Sequence, residues 1–406
     1  MYNKLRCNVV QLVYGVEKMT SKEPIRVLHS FGSLGKGGIE TWLINILRLR
    51  SDEIRFDFIL GKLGGAYEEE VRSYGCRIHQ APPIRQLSKN LRFLQNVLIS
   101  NHYDVYHIHG EEFMGDSVKV AANVGIPVRI VHCHNTVLAR GKKNFEMKIR
   151  SLRFKTMDRF RILHNATDIL ACSNDAGRFL LGHHWQIDSR CKPLYCGVPL
   201  DHFEKAEKSW TRHDFRASLG IPADAIVIGH AGSMGPSSQK NHFFLLEIFR
   251  ELAERNSRYF LYMAGDGPLR PAIEKVVRQY GLQDRILMPG LCNDVPSLMI
   301  HGFDVHLLPS LYEGLPVIGL EAIASGLFTV CSDTITRDFT GFFSQRVVPV
   351  SLKANASVWA DRVEEAVRRR ISVAKGIAII AKSPFSIQAS LNNMLGIYKH
   401  RLKISC

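Results

Sequence analysis

The feature that most constrains this chain is a rhythm in its hydrophobicity. Short apolar runs alternate with amphipathic stretches of helical period along nearly its whole length. RVLHSF (26–31), RFDFIL (55–60), DVYHIH (104–109), VRIVHCH (128–134) and DILACS (168–173) read as strands, with helical segments such as Ile39–Arg50 and Tyr67–Tyr74 between them. After Pro199 the rhythm restarts. AIVIGHAG (225–232), RYFLYMAG (258–265), RILMPG (285–290), FDVHLLPS (303–310) and FTVCSD (328–333) alternate with helical stretches at Phe243–Glu254, Leu269–Tyr280, Val295–His301 and Val317–Ser325. A strand that returns to its own sheet through a helix does so by a right-handed crossover, which makes neighbouring strands parallel. The expected class is therefore α/β, with two doubly wound domains at 20–198 and 199–385 that change over near Gly197–Phe203. Residues 386–406 form a third segment. Within it Ser386–Lys403 is a candidate helix carrying Leu391, Leu395, Tyr398 and Leu402, and its pattern leaves open which domain it closes on. Sheets of this kind bind ligands beyond the C-terminal ends of their strands, so the cleft between the domains is the expected site.

Composition narrows the function classes. With 46% hydrophobic and 22% charged residues, the chain of 406 residues is globular rather than disordered or fibrous. No apolar run reaches the roughly 18–20 residues of a membrane span. The short stretch Val9–Val16 lacks the cleavage site of a signal peptide, which leaves a cytoplasmic protein as the expectation. Residues 1–18, ahead of Met19, read as an extension or a misplaced start. Nine cysteines without a CxxC read as reduced, mostly buried thiols. The net charge of +15 is unevenly spread. Residues 1–200 hold 29 basic and 18 acidic side chains, whereas residues 201–350 hold 14 and 17. The densest stretch, Arg140–Arg161, carries nine Lys/Arg against Glu146 and Asp158. Such asymmetry points to an anionic partner surface or, equally, to a solvated helix face.

The chemistry concentrates in LLPSLYEGLPVIGLEAIASG (307–326). A buried strand ends at Pro309–Ser310, and a helix starts near Pro316, a residue suited to a first helical turn. Glu313 precedes the helix and Glu321 lies on it, eight residues later, at most about 12 Å away along a helix. Two carboxylates so spaced can accept hydrogen bonds from vicinal hydroxyls at the two ends of a sugar nucleotide, with the helix N-terminus between them facing the pyrophosphate. Alone, the pair also reads as a capping glutamate and an exposed helix glutamate. A second strand-loop-helix unit places Lys240 at a helix start, where an ammonium can neutralise a diphosphate leaving group without a metal. A third, AGDGPLR, carries Gly265 and Gly267, which allow close backbone approach. His107/His109 and His132/His134 are spaced as strand residues on one face, but four converging ligands are not identifiable and no metal site is expected. Lys36 is followed by Gly37 rather than Ser or Thr, which excludes a phosphate-binding Walker loop.

GSLGKGGIETWLINILR, DVYHIHG, RIVHCHN, ILACSNDAG, SSQKNHFFLLEIF, MAGDGPLR, LPSLYEGLPVIGLEAIASGL and CSDTI occur in order over about residues 26–335. Together they resemble the retaining nucleotide-sugar glycosyltransferases of family 4, of the GT-B fold with two Rossmann-like domains facing across a cleft. The likeness is to bacterial enzymes of exopolysaccharide and capsule synthesis. The spacing Glu313 to Glu321, together with Lys240 in QKN, is its most specific part. The resemblance implies that Glu313 contacts the donor hexose and Glu321 the ribose, and that Lys240 holds the pyrophosphate. Backbone amides of Gly314, Leu315 and Val317 would face sugar or phosphate. Gly290–Leu291 and Asp294–Val295 would border the base, Gly37 and Gly38 would lie opposite the phosphates, and His134 would face the donor sugar. It implies a UDP-sugar as co-substrate with no further cofactor and no metal. The acceptor would be a glycan or polyprenyl-linked sugar at the inner face of the plasma membrane, with the basic run docking on anionic headgroups.

Two departures stand out. Ser233 follows Gly232 where the family usually carries an arginine, so the diphosphate has one cation fewer. Cys196 replaces the asparagine that commonly precedes Gly197. Rival readings are a nucleotide-sugar epimerase of the same architecture, a degenerate nucleotide-sugar binder motivated by Ser233, and a nucleic-acid binder prompted by the basic pI. The last lacks any recognisable nucleic-acid motif or basic-aromatic interleaving, and no nucleic acid is expected as partner.

Overall fold

The computed structural model describes residues 23–110, 113–137 and 151–403. Among these residues thirteen strands form two sheets. The first contains β1 (Ile25–Phe31), β2 (Ile54–Leu60), β3 (Ile78–Gln80), β4 (Val105–Gly110), β5 (Val128–Cys133), β6 (Asp168–Ala171) and β7 (Cys191–Pro193), in the order β3-β2-β1-β4-β5-β6-β7. The second contains β8 (Ile226–Ala231), β9 (Tyr259–Ala264), β10 (Ile286–Gly290), β11 (Val305–Leu308), β12 (Thr329–Ser332) and β13 (Val347–Val350), in the order β10-β9-β8-β11-β12-β13. Every pairing is parallel, as alternating strands and helices require.

Three strands have no counterpart among the apolar runs of the sequence: β3, β7 and β13. Each is three or four residues long and lies at a sheet edge. Edge strands are covered on fewer sides and tolerate proline, as at Pro193 and Pro349, so they carry no continuous hydrophobic signature. Central strands do: β4, β6, β11 and β12 are buried at nearly every position.

In both sheets the chain reverses its direction of growth beside the first strand, between β1 and β4 and between β8 and β11. These switch points leave a crevice at the strand C-termini, and four helices set the groups around it. Helix α1 (Gly38–Arg48) follows β1 and buries Trp42, Leu43, Ile44 and Ile46. Helix α2 (His242–Arg255) follows β8, and α3 (Val317–Ala324) follows β11. Helix α4 (Ile387–Leu402) returns from the second sheet and packs on the first. There the Trp42 indole donates to Ser390 Oγ (2.8 Å), which donates to the Tyr195 carbonyl (2.7 Å), and Arg401 pairs with buried Asp168 (2.7 Å). The change-over at Gly197–Val198 lies against this return, where Val198 and Ser386 form an isolated bridge. The principal apolar core runs through both halves, from Ile25 on β1 to Leu320 on α3 and Tyr398 on α4.

Seven cysteines are described. Five are buried; Cys7 and Cys406 lie outside the described residues. Of the basic run, residues 140–150 lie outside them too. Arg153 and Arg161 pair with the Asp116 carboxylate, and Arg159 donates to the Leu180 and Phe179 carbonyls, so these three hold the fold together. Among the described residues no helix is long and apolar enough to cross a membrane.

Candidate active site

The loops after β8 and β11 are tied together by backbone and side-chain hydrogen bonds. Leu311 N–H donates to the Gln239 carbonyl (2.8 Å), Asn241 Nδ2 to the Pro309 carbonyl (3.1 Å), and Gln239 Nε2 to the Tyr312 carbonyl (3.0 Å). Asn241 adopts a left-handed conformation (φ 56°), which short polar side chains tolerate and which turns the chain sharply into α2. This brings Lys240 Nζ to 2.7 Å from Glu313 Oε1, while Gln239 Nε2 lies 3.2 Å from Glu313 Oε2. Both carboxylate oxygens are thereby engaged, and Glu313 is only 6% exposed. An ammonium has three donors, so Lys240 can hold Glu313 and still present N–H groups to a second anion.

Glu321 has opposite surroundings. It projects from α3, whose other residues Gly319, Leu320, Ala322, Ile323 and Ala324 are buried. It is partly exposed, and among the described residues its carboxylate has no hydrogen-bond partner. Crowding by the protein without a compensating donor pushes its carboxyl up to about 7. A carboxylate held this way is poised to accept hydrogen bonds from a ligand.

No side chain caps α3, which starts after Pro316, so its first turn depends on other partners for its free amides. The Val317 amide turns back onto the Leu315 carbonyl (3.0 Å). Gly314 is pressed against the first sheet. A Cβ there would overlap the His134 carbonyl oxygen and lie 2.9 Å from Cys172 Sγ. Thr136 Oγ1 donates to the Glu313 carbonyl from the same side (3.3 Å). The segment Glu313–Leu315 is thus wedged between the two sheets.

The remaining residues singled out in the sequence fall into three places. His134, at the end of β5, touches this wedge through its carbonyl, while its ring turns inward. Its Nε2 faces His109 Nδ1 at 2.9 Å and its Nδ1 faces Cys196 Sγ at 3.7 Å, and burial lowers it to about 3, so it stays neutral. Gly37 and Gly38 lie exposed at the start of α1, and the neighbouring Lys36 Nζ reaches across to Asn293 Oδ1 (2.5 Å), in the loop that carries Leu291, Asp294 and Val295. Leu291 is 66% exposed, a flat apolar surface, and Asp294 caps the turn after it by accepting from the Ser297 amide (3.0 Å). Gly265 and Gly267, both at positive φ, approach the loop after β8: side chains there would strike the Gly232 and Met234 carbonyls. They hold in place the loop that carries Ser233 and leads to Lys240.

Gln239, Thr136, Asn293 and Cys172 touch these residues as well. Gln239 sits beside Lys240 in QKN and was legible there as a candidate donor. The other three enter through tertiary contacts and carry no signal of their own.

Comparison with known proteins agrees with this architecture. Residues 36–202 match the family model described as Glycosyltransferase Family 4, and residues 211–365 match that described as Glycosyl transferases group 1. The chain is 37% identical over 347 residues to the putative glycosyltransferase EpsF of Bacillus subtilis (strain 168), covering 84% of this chain and 87% of that protein. It is 23% identical over 385 residues to the capsular polysaccharide biosynthesis glycosyltransferase CapH of Staphylococcus aureus, covering 92% and 98%. Among solved structures, HepE of Anabaena in complex with UDP superposes with a TM-score of 0.72 at 15% identity, over 93% of this chain and all of that one, which shows the shared GT-B fold. The rhythm of strands, the two switch points and these likenesses converge: the chain belongs to the family 4 glycosyltransferases.

Proposed function

We propose that the protein transfers a sugar, with retention at the anomeric carbon, from a UDP-sugar to a glycan or polyprenyl-linked acceptor in surface polysaccharide synthesis. The observation that carries this reading is the asymmetry of the two glutamates around one helix N-terminus. Glu313 is held by Lys240 and Gln239, while Glu321, on the same helix, is desolvated and unpartnered. In this reading Glu321 takes the ribose hydroxyls, Lys240 and the first turn of α3 take the diphosphate, and Glu313 positions the hexose. Leu291 borders the base. Both oxygens of Glu313 are occupied, so it is a poor nucleophile, and no covalent glycosyl-enzyme is needed. Lys240 and the helix dipole stabilise the departing diphosphate without a metal. Closure of the two domains around the donor would exclude the water that otherwise hydrolyses it. A diphosphoundecaprenol acceptor and a UDP-Gal donor appear in the name of one Escherichia coli relative, 27% identical over 63% of this chain, which supports the choice of donor and acceptor class.

The test is a thermal-shift screen over UDP-, GDP- and ADP-sugars, followed by transfer to a polyprenyl-diphosphate sugar with the anomer of the product read by NMR. A donor at 100 times its dissociation constant stabilises by about 2.7 kcal/mol. Selective stabilisation by one UDP-sugar and an axial-to-axial outcome are expected. Donor isomerised in the absence of acceptor, or an inverted product, overturns the proposal.

A further inference from the structure

Five histidines of the first sheet meet inside the protein. His29 on β1, His107 and His109 on β4, and His132 and His134 on and just after β5 lie on one face of three adjacent strands, and all are buried. Parallel register sets His29 opposite His107 and His109 opposite His132. Trp42 covers them from α1, with its ring centre 5.5 Å from that of His132, and Tyr398 reaches in from α4 to 2.8 Å of His107 Nδ1.

The cluster forms two hydrogen-bonded chains. In one, Tyr398 Oη meets His107 Nδ1, and His107 Nε2 meets His132 Nδ1 (3.3 Å). In the other, His29 Nδ1 meets His109 Nε2 (3.0 Å), His109 Nδ1 meets His134 Nε2 (2.9 Å), and His134 Nδ1 meets Cys196 Sγ. A neutral imidazole has one N–H and one lone pair, so each chain must run in one direction and end on an unpaired nitrogen. Those ends are His29 Nε2, buried without a partner, and His132 Nε2, which makes no well-formed hydrogen bond although the Leu194 backbone lies beside that ring. A buried polar atom left without a good partner is costly, because the hydration it gave up on folding is not repaid. Burial lowers all five rings, and neutral imidazoles are the form that binds a metal.

We propose that His109, His132 and His134 bind a zinc-class transition-metal ion, a structural site separate from the diphosphate crevice. One ring nitrogen from each of the three lies within 4.8 Å of the others. A tetrahedral ion with metal–nitrogen bonds of about 2.0–2.1 Å needs its ligands roughly 3.4 Å apart, within that envelope. The ion takes one ring nitrogen of His132 and replaces the proton shared by His109 Nδ1 and His134 Nε2. Each ligand's second nitrogen already has a partner: His107 for His132, His29 for His109, and Cys196 for His134. Such outer contacts set the tautomer and aim the ring. Burial alone does not make such a site, since His230 and His306 of the second sheet and His242 at the start of α2 are buried too and bring no three nitrogens together among the described residues. The ion pins the ends of β4 and β5 beneath the His134 carbonyl that meets Gly314. This inference stands apart from the transfer reading, and its test does not measure transfer.

Tag-free protein, stripped with chelator, loaded with Zn²⁺ and desalted, is expected to retain one ion per chain and to melt at a higher temperature than the stripped form. Co²⁺ is expected to give the visible absorption of a four-coordinate ion, and X-ray absorption of the zinc-loaded wild type to show imidazole scattering. His132→Gln should weaken retention by more than about tenfold, whereas the exposed surface pair His183→Gln/His184→Gln should leave it unchanged. No stoichiometric retention, a first shell without imidazole, or loss of the ion with the surface pair overturns the proposal. If His132→Gln fails to fold, the X-ray absorption of the wild type decides.

Discussion

Glu313 and Glu321 stand eight positions apart on one strand-loop-helix unit, and their different environments separate what each substitution does. Glu321→Ala removes an acceptor with no internal partner, so the fold is expected to survive while UDP affinity falls; one charge-assisted hydrogen bond contributes about 1.5–3 kcal/mol. Titration calorimetry with UDP checks this. Glu313→Gln keeps the shape of the side chain but removes the charge facing Lys240 (2.7 Å). We expect UDP to bind about as before and turnover to collapse in a donor-consumption assay. Equal turnover in both variants and wild type would remove the assignment. The raised carboxyl of Glu321 also predicts a pH dependence. Its folded value, about 7, lies above its ordinary value of 4.5. The stabilisation it gives the empty protein is therefore fully present below pH 4.5 and lost as pH rises through 7. Ligand binding runs the other way, because ribose hydroxyls prefer the ionised form. UDP affinity should rise between pH 6 and 8 in wild type relative to Glu321→Gln, a comparison that cancels the titration of the phosphate itself. At this scale the sequence marked the acidic pair and Lys240 through their spacing. It carried no sign that the ring of His134 turns inward to His109 and Cys196, because a side chain's direction depends on which strands become its neighbours.

Among the elements, the wedge at Glu313–Leu315 and helix α4 matter most. Gly314 was expected to offer its amide to a ligand, and the structure adds a steric demand from the opposite sheet. Gly314→Ala must push the His134 carbonyl away, an overpacking cost of about 1–3 kcal/mol, and should lower both melting temperature and activity, read by calorimetry and transfer assay. A fully active, equally stable variant would show that the two sheets do not meet there in solution. On α4, Ser390 joins Trp42 to Tyr195. Ser390→Ala leaves the buried indole N–H unpaired and is expected to destabilise by about 1–3 kcal/mol, measurable by urea denaturation. The helix itself was legible from its apolar spacing. Its docking partner was not, since its buried face would suit either sheet.

At the level of the whole molecule, the charge asymmetry is the property that bears on the acceptor. Three arginines of the basic run are committed to Asp116 and to backbone carbonyls, so simple counting overstates the free charge. The same stretch nevertheless presents Leu152, Met157 and Phe160 to solvent beside exposed Lys155. If this face meets the membrane, as the acceptor class implies, co-sedimentation with anionic vesicles should exceed that with neutral vesicles, fall with added salt, and weaken in Phe160→Ser. Indifference to lipid charge would count against a docked enzyme.

By itself the sequence determined the class of the fold and the approximate place of the site. Alternating hydrophobic periods force parallel sheets, and parallel sheets place their loops at one end. Only tertiary structure decided which sheet receives α4, that Gly314 sits under the His134 carbonyl, and that His29, His107, His109, His132 and His134 share one interior. Those outcomes depend on contacts between residues as many as 348 positions apart, as for Trp42 and Ser390. Local pattern specifies an element and its buried face, whereas the identity of the partner follows from packing the whole core at once.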